Sequence, residues 1–454
     1  MNELVRQRLP APPGDWENRA IMPLKRSIKY SQSTTHMCAA RCMLSAVKFA
    51  HGRYEMTLPT LEQLEQDPYA ALGVRKFINA TCHHTNMGGT LIPETTLKAM
   101  RTAADNFVDL RELQKATGRI IAEVTHADDG YIVSGCAAGL MVSAAAIITG
   151  MDEALIEQLP YVQGGQVPCI AKRFARAENY KGEEYVNHGY AMAVKTAGVK
   201  FVEVGEPEED GRPTKVVRAE EYAQAFIDNP DAKMVYWVGY APPEDIALED
   251  VIDIAHDHDA RVIIDASNCL PPRENLYRFI DIGADVVCFS GGKGIQGPQG
   301  SGIIAGSQDI IDSIAMQSAP SHGIGRVAKV SKEEVIGQIA SFIWWVQQDD
   351  EERMTEHHRK TGMLHNSLAG LPKMADSYIE FPDEDNRPMP NVHVKVDPAI
   401  GKDAQWLIEE LRDGDPAIAV VGHARDPQIV RIDVRLLEDE EIAEIARRLR
   451  EILS

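Results

Sequence analysis

Two stretches decide how this chain folds: Arg261-Val262-Ile263-Ile264-Asp265-Ala266-Ser267 and Val286-Val287-Cys288-Phe289-Ser290-Gly291-Gly292-Lys293-Gly294. Each opens with a run of β-branched and aromatic residues, the composition of a strand buried on both faces, and each stops at polar and small residues. Similar runs recur at 131–133, 167–170, 200–204, 233–238 and 302–305, with helix-like segments between them at 139–148, 219–227 and 248–256. Strands alternating with helices predict a mostly parallel sheet flanked by helices, an α/β fold. In such sheets ligands bind outside the carboxyl ends of the strands, which is where Asp265 and Lys293 stand. A long helical stretch is predicted over 332–371. The tail reads as strand 392–396, helix 404–412, strands 417–421 and 430–434 and helix 438–453, a small C-terminal α+β domain. The predicted division is an N-terminal arm at 1–75, a large α/β domain at 76–330, a connecting helical region at 331–390 and the small domain at 391–454.

Composition narrows the class. Hydrophobic residues make up 44% and charged residues 25% of the 454, ordinary values for a globular chain, which exclude a disordered polymer, a collagen-like fibre and a disulfide miniprotein. Lys and Arg number 47 against 68 Asp and Glu, a net charge of −21. That field repels a phosphate backbone, so no nucleic-acid partner is expected. Seven cysteines form no repeated CxxC pairs, so neither a zinc site nor a disulfide framework is indicated and no metal is expected. Cys38 and Cys42, near His36, read as two thiols one turn apart on a helix predicted over 37–50. The opening Met1-Asn2-Glu3-Leu4 carries an acid and no apolar run of a signal peptide. The longest apolar stretch, 135–150, is shorter than the roughly 20 residues of a membrane span. A cytoplasmic protein without a membrane partner is predicted.

An acid and an amine emerging from neighbouring strand ends suit pyridoxal 5'-phosphate. The lysine forms the Schiff base, and the carboxylate keeps the pyridine nitrogen protonated so that the ring accepts electrons. Ser290, three residues before Lys293, is within reach of the phosphate. The same spacing also describes a surface ion pair, and by itself it leaves the two readings level. A second element breaks the tie: Tyr131-Ile132-Val133-Ser134-Gly135-Cys136-Ala137-Ala138-Gly139-Leu140 runs from a strand through a small-residue turn into a helix. That turn gathers free backbone N–H groups and the positive end of the helix dipole at one point, a cradle for phosphate.

Further landmarks are Tyr69-Ala70-Ala71-Leu72-Gly73-Val74-Arg75-Lys76-Phe77-Ile78-Asn79-Ala80, His84-Thr85-Asn86-Met87-Gly88-Gly89, the continuation Ile295-Gln296-Gly297-Pro298-Gln299 after Lys293-Gly294, and Gly325-Arg326-Val327-Ala328-Lys329-Val330. On these residues the chain, from about residue 67 onward, resembles the fold-type I pyridoxal-phosphate enzymes of the selenocysteine synthase (L-seryl-tRNA selenium transferase) and D-glucosaminate-6-phosphate ammonia-lyase superfamily. The resemblance implies the fold-type I transferase fold, with Lys293 as Schiff-base lysine and Asp265 as partner of the pyridine nitrogen. Ser134, Gly135 and Cys136 match the phosphate loop, and Ser267, Asn268 and Ser290 complete the implied cofactor set. Cys136 and Asn268-Cys269 stand where the ammonia-lyase-like members tend to have Ala and Ala-Gln, while 82–86 is closer to the selenium transferase pattern.

The implied activity is a lyase of the ammonia-lyase or β-elimination type acting on a small amino acid or amino sugar acid. A transferase or aminotransferase is the alternative. A non-catalytic pyridoxal-phosphate-binding regulator would bring a DNA-binding module, and none is apparent. The fold implies a homodimer or larger homo-oligomer. For the substrate, His84 and Arg326 lie in matched motifs, and Arg435 matches a family arginine. In Val430-Arg431-Ile432-Asp433-Val434-Arg435-Leu436 the period of two puts Arg431, Asp433 and Arg435 on one strand face. A guanidinium fork suits a carboxylate, and the alternative is pairing with Asp433 or Glu438. His188 and Tyr190 read as aromatics placed to stack on the cofactor ring.

Overall fold

All seven apolar runs become strands of one sheet in the computed structural model, which describes residues 58–208, 214, 216–383 and 386–454. The helix expected over 37–50, with Cys38 and Cys42, lies outside the described residues. The strands are β1 (Asp129–Val133), β2 (Val167–Lys172), β3 (Val199–Val204), β4 (Met234–Val238), β5 (Arg261–Asp265), β6 (Val286–Ser290) and β7 (Gly302–Gly306). Their order across the sheet is β1-β7-β6-β5-β4-β2-β3. Neighbours are parallel except at β7, which runs antiparallel to both β1 and β6.

Because side chains alternate along a strand, each strand feeds two cores. Val235, Trp237, Val262, Ile264, Val287 and Phe289 point into one, closed by residues of helices Ala219–Asp228, Leu248–Asp257 and Lys332–Val346. Met234, Tyr236, Ile263, Val286 and Cys288 point into the other, against helices Gly135–Thr149 and Gln308–Gln317. Full burial of one such apolar side chain is worth about 1.5–3 kcal/mol, so strands buried on both faces form the rigid floor on which the carboxyl ends are fixed.

The expected helical stretch 332–371 is two helices, Lys332–Val346 and Asp350–Asn366. Asp349 starts the second by accepting the backbone N–H of Glu352, a side-chain cap that competes with continuing the first helix. The tail forms a separate antiparallel sheet of β8 (Met374–Glu380), β9 (Asn391–Val396), β10 (Val421–Gly422) and β11 (Ile429–Ile432), in the order β8-β9-β11-β10. One of its faces packs under helices Ala404–Asp413 and Asp439–Leu453.

Two details of the tail differ from the sequence reading. The run 417–421 is split, because Ile418–Ala419 leaves this sheet to pair in parallel with Ile78–Asn79. The run 430–434 ends as a strand at Ile432: Asp433 bridges Thr81, its N–H donates to Ala80 O, and Arg435 lies in the turn beyond. A hairpin, Ala175–Glu178 with Glu184–Asn187, is inserted between β2 and β3; it buries no apolar face, so periodicity carried no signal of it. Among the described residues no helix is long and apolar enough to cross a membrane.

Candidate active site

β5 and β6 end side by side, and the residues at their carboxyl ends converge with the start of helix Gly135–Thr149. Asp265, the last residue of β5, is 5% exposed. Its Oδ2 accepts a hydrogen bond from the Tyr236 hydroxyl at 2.9 Å and its Oδ1 one from the Ser267 N–H at 3.0 Å, while the Cys136 thiol lies 3.7 Å from Oδ1. Tyr236 reaches Asp265 because Val238 of β4 is in register with Asp265, and Tyr236, two residues earlier, shares its face. Burial, with the Asp265 charge adding to it, raises the Tyr236 hydroxyl far above its ordinary range and keeps it a donor. The Cys136 thiol is likewise pushed well up, first by burial and then by Asp265, so it stays protonated.

Lys293 is half-buried in the turn after β6, with Nζ 3.5 Å from Ser267 Oγ. The turn is built by close backbone approach: a Cβ on Gly292 would sit 2.3 Å from Gln299 Cα. The segment after His84 docks on the same turn, where Gln299 Nε2 donates to Thr85 O at 2.8 Å. At the helix start, Gly135 takes φ +78°, a conformation that disfavours any side chain. Ser134 makes no side-chain cap bond, so it does not compete for the first N–H groups of this 15-residue helix. Asn268 is half-buried after Ser267, and Ser290 ends β6 opposite Gly302.

A second group of charges adjoins Lys293. His83 is 8% exposed and its Nδ1 has no hydrogen-bond partner. Burial, reinforced by the Arg435 charge, pushes its pKa down to about 3, and the Lys293 charge acts in the same direction. His84 is half-buried and also lowered, by burial and then Arg431. Arg435 is nearly buried, with Nε 3.0 and 3.1 Å from the two Asp433 oxygens, Nη2 2.6 Å from Oδ2 and Nη1 2.8 Å from Met389 Sδ. Burial works to raise the Asp433 carboxyl, but the guanidinium outweighs it and holds the carboxyl well below its usual range.

The structure therefore brings together Ser134, Gly135, Cys136, Asp265, Ser267 and Lys293, with His84 and Arg435 close enough for their charges to bear on the same region. Arg326 is exposed on the short turn Arg326–Ala328 and takes no part in these contacts. His188 stacks on Phe201, with ring centroids 5.4 Å apart. Tyr190 is exposed, and Lys293 Nζ lies 5.9 Å from its ring centroid. Tyr236 was not singled out in the sequence, nor was His357 of helix Asp350–Asn366, whose ring is held neutral by burial and the Arg435 charge. A hydroxyl inside the apolar run 233–238, on the face shared with Asp265, was the available signal for Tyr236. An amine, a buried carboxylate and an uncapped helix start are the donor set that pyridoxal phosphate needs for its aldehyde, ring nitrogen and phosphate, and these residues fit it.

Residues 245–375, which span Asp265 and Lys293, match the family described as Aminotransferase class-V. The chain is 28% identical over 389 residues to the 5'-C-glycyluridine monooxygenase-decarboxylase of a Streptomyces species, covering 85% of this chain and 92% of that one. It is 26% identical over 397 residues to the D-glucosaminate-6-phosphate ammonia lyase of Salmonella typhimurium, covering 85% and 97%. A solved structure of D-glucosaminate-6-phosphate ammonia-lyase superposes with a TM-score of 0.68 at 25% identity, covering 85% of this chain and 98% of that one. L-seryl-tRNA(Sec) selenium transferases align as well. Family match, relatives and solved structures agree on the architecture: the chain has the fold of the fold-type I pyridoxal-phosphate-dependent enzymes, and over most of its length it is similar to D-glucosaminate-6-phosphate ammonia-lyases and L-seryl-tRNA(Sec) selenium transferases.

Proposed function

We propose that this enzyme is a lyase of the ammonia-lyase or β-elimination type, acting on a small amino acid or amino sugar acid. The observation that carries the chemistry is the meeting of Lys293 and the buried Asp265 at the start of helix Gly135–Thr149. Bound pyridoxal phosphate supplies an electron sink for the carbanion formed at the substrate α-carbon. In this reading Lys293 Nζ holds the cofactor and then takes the α-proton as general base. Asp265, oriented by Tyr236 and Ser267, faces the ring nitrogen and keeps its proton there. Ser134, Gly135 and Cys136 present backbone N–H groups to the phosphate, with Ser267, Asn268 and Ser290 at its rim. His84 and Arg435 are assigned to the substrate side, and Arg326, exposed on its turn and apart from these contacts, to a site completed across subunits. Arg435 has one donor, Nη1, held only by a thioether, and that donor is available to a carboxylate. Alignment with the ammonia lyase over nearly its whole length supports elimination as the outcome.

A second reading has support of its own. The relative at 28% identity is named a monooxygenase-decarboxylase of a glycyl nucleoside, which implies oxygen uptake and carbon dioxide release from an amino acid carried on a nucleoside. We further propose a cytoplasmic homodimer or larger homo-oligomer; the fully exposed Phe107 and the exposed Val108 next to it support a covered surface there.

The deciding experiment incubates cofactor-loaded protein with small amino acids and amino sugar acids. Ammonia and a keto acid formed without an amino acceptor are the expected products. A strict need for an acceptor makes the enzyme a transferase, and oxygen consumption with carbon dioxide release selects the second reading. Borohydride should fix the cofactor on Lys293; fixation elsewhere, or persistence of the cofactor absorbance in Lys293→Ala, overturns the shared premise.

A further inference from the structure

The small sheet carries a cluster that the cofactor chemistry does not use. Glu380 ends β8, His393 lies in the middle of β9 and His423 follows β10. His393 pairs with Tyr378 on one side and with Arg431 on the other, and Glu380, two residues beyond Tyr378, shares its face. One ligand atom from each of Glu380, His393 and His423 lies within 4.8 Å of the other two. The three residues are far apart in the sequence, so ligand spacing gave no sign of them.

The second observation is an orphaned nitrogen. His393 is completely buried, and its Nε2 makes no hydrogen bond. The nearest carboxylate atom, Glu380 Oε2, stands 3.4 Å away, beyond the usual range of a charge-assisted N–H···O bond. That separation matches the roughly 3.3 Å edge of a tetrahedron whose centre holds a zinc ion about 2.0–2.1 Å from each ligand. On the opposite side of the ring, His393 Nδ1 is 3.0 Å from the Tyr378 hydroxyl. A proton on Nδ1 directed at that oxygen leaves the Nε2 lone pair facing Glu380, the outer-shell arrangement of metal-binding histidines. The His423 ring stands edge-on to His393 with centroids 5.4 Å apart.

We propose that Glu380, His393 and His423 bind one divalent transition-metal ion of the zinc class. Two nitrogens and one carboxylate oxygen are a zinc-type donor set, whereas magnesium and calcium take oxygen alone. His423 Nδ1 receives the backbone N–H groups of Arg425 and Asp426, each at 3.1 Å. Ligation through Nδ1 would exchange those two long, shared contacts for one coordinate bond, whereas ligation through Nε2 would keep them. The ion would tie the end of β8 to β9 and to the loop after β10. The segment between β8 and β9 carries Met389, whose Sδ touches Arg435. Metal binding therefore fixes the root of a segment that supports the substrate side of the candidate site. The proposal does not depend on the reaction type.

The test uses tag-free, cofactor-loaded full-length protein stripped with a chelator and titrated with zinc chloride. Wild-type protein should bind one zinc ion per chain at this site and gain several degrees of thermal stability from it. Glu380→Gln, which keeps the size of a half-buried side chain, should weaken that binding at least tenfold and abolish the thermal gain, with the cofactor absorbance unchanged. His393→Gln should do the same. If His393→Gln does not fold, Glu380→Gln with cobalt(II) as a spectroscopic probe decides alone, because the ligand-field band should vanish. Equal zinc content and equal thermal gain in wild type and Glu380→Gln place the ion elsewhere, for example on His36, Cys38 and Cys42, and overturn the proposal. Absence of saturable zinc binding in wild type overturns it too, as does stabilisation by magnesium equal to that by zinc.

Discussion

Acidification from about pH 7.5 to about pH 5 should destabilise this protein before its carboxylates titrate, and His83 carries a definable share of the effect. Burial, with the Arg435 charge behind it, pushes the His83 imidazole from 6.5 down to about 3. His357, whose charge acts on His83, is lowered to about 3 in the same way. In the unfolded chain both regain their ordinary value, so below about 6.5 the unfolded state binds protons that the folded state refuses. The stability these neutral rings confer is complete above that pH and drains as pH falls toward 3. Each refused proton costs roughly 1.4 kcal/mol per pH unit. Across the interval from about 6.5 to 5 this amounts to about 2 kcal/mol for His83, with at most as much again for the less buried His357. Urea unfolding at several pH values, on wild type and His83→Asn, measures it. The variant should lose about 2 kcal/mol less than wild type over that window, whatever its absolute stability. An identical pH dependence in the two proteins would mean that His83 accepts its proton in the folded state, and the picture of a neutral buried ring beside Arg435 would fail.

Asp265→Asn keeps the side-chain size and the contact with the Ser267 N–H while removing the charge, and the Tyr236 hydroxyl can rotate to accept from the new amide. It should leave thermal stability nearly unchanged and weaken cofactor binding about 10- to 100-fold, the loss of a charge-assisted hydrogen bond of ~1.5–3 kcal/mol; undiminished affinity in an absorbance titration removes Asp265 from the site. Gly292→Ala would drive a Cβ to 2.3 Å from Gln299 Cα, so it should cost about 1–3 kcal/mol of stability and lower cofactor occupancy. A variant as stable and as fully loaded as wild type contradicts the packing of the Lys293 turn. Arg435→Lys keeps the charge but loses the Nε and Nη2 fork on Asp433, so it should both raise KM and lower the unfolding midpoint; a raised KM at unchanged stability would show that the Asp433 pair carries no structural load.

The large sheet was readable because each of its strands is a local signal: a short apolar run cut off by polar or small residues. The strand-end positions of Asp265 and Lys293 were readable for the same reason, since each ends or closely follows its own strand. What escaped was set by distant partners. Nothing within 417–421 says that Ile418 and Ala419 will turn away to pair with Ile78 and Asn79. Nothing within 430–436 says that Asp433 will bridge Thr81 and end the strand. The period of two correctly grouped Arg431 with Asp433, but its extension to Arg435 assumed a strand that stops at Ile432. Tyr236 is an intermediate case, visible as a lone hydroxyl in an apolar run yet meaningful only once β4 and β5 are in register.

The Asp433–Arg435 pair also bears on what the substrate side recognises. A guanidinium bonded through two nitrogens to a buried carboxylate is already charge-balanced, so a substrate carboxylate meeting it gains a directed hydrogen bond at Nη1 and little net attraction. His83 and His357 add no charge at neutral pH, because burial holds both rings in the neutral form. Removing their charge keeps Asp433 committed to Arg435 alone, and that fixes the plane of the fork in the absence of substrate. Further positive charge near this end comes from Lys293, Arg431 and Arg387, whose fields all reach His84. Recognition at this end of the crevice thus depends on where the donors point more than on how many charges stand there. On the proposed assignment of Arg435 to the substrate, that arrangement would admit a neutral or zwitterionic amino acid as readily as an anion and leave selectivity to the shape of its side chain.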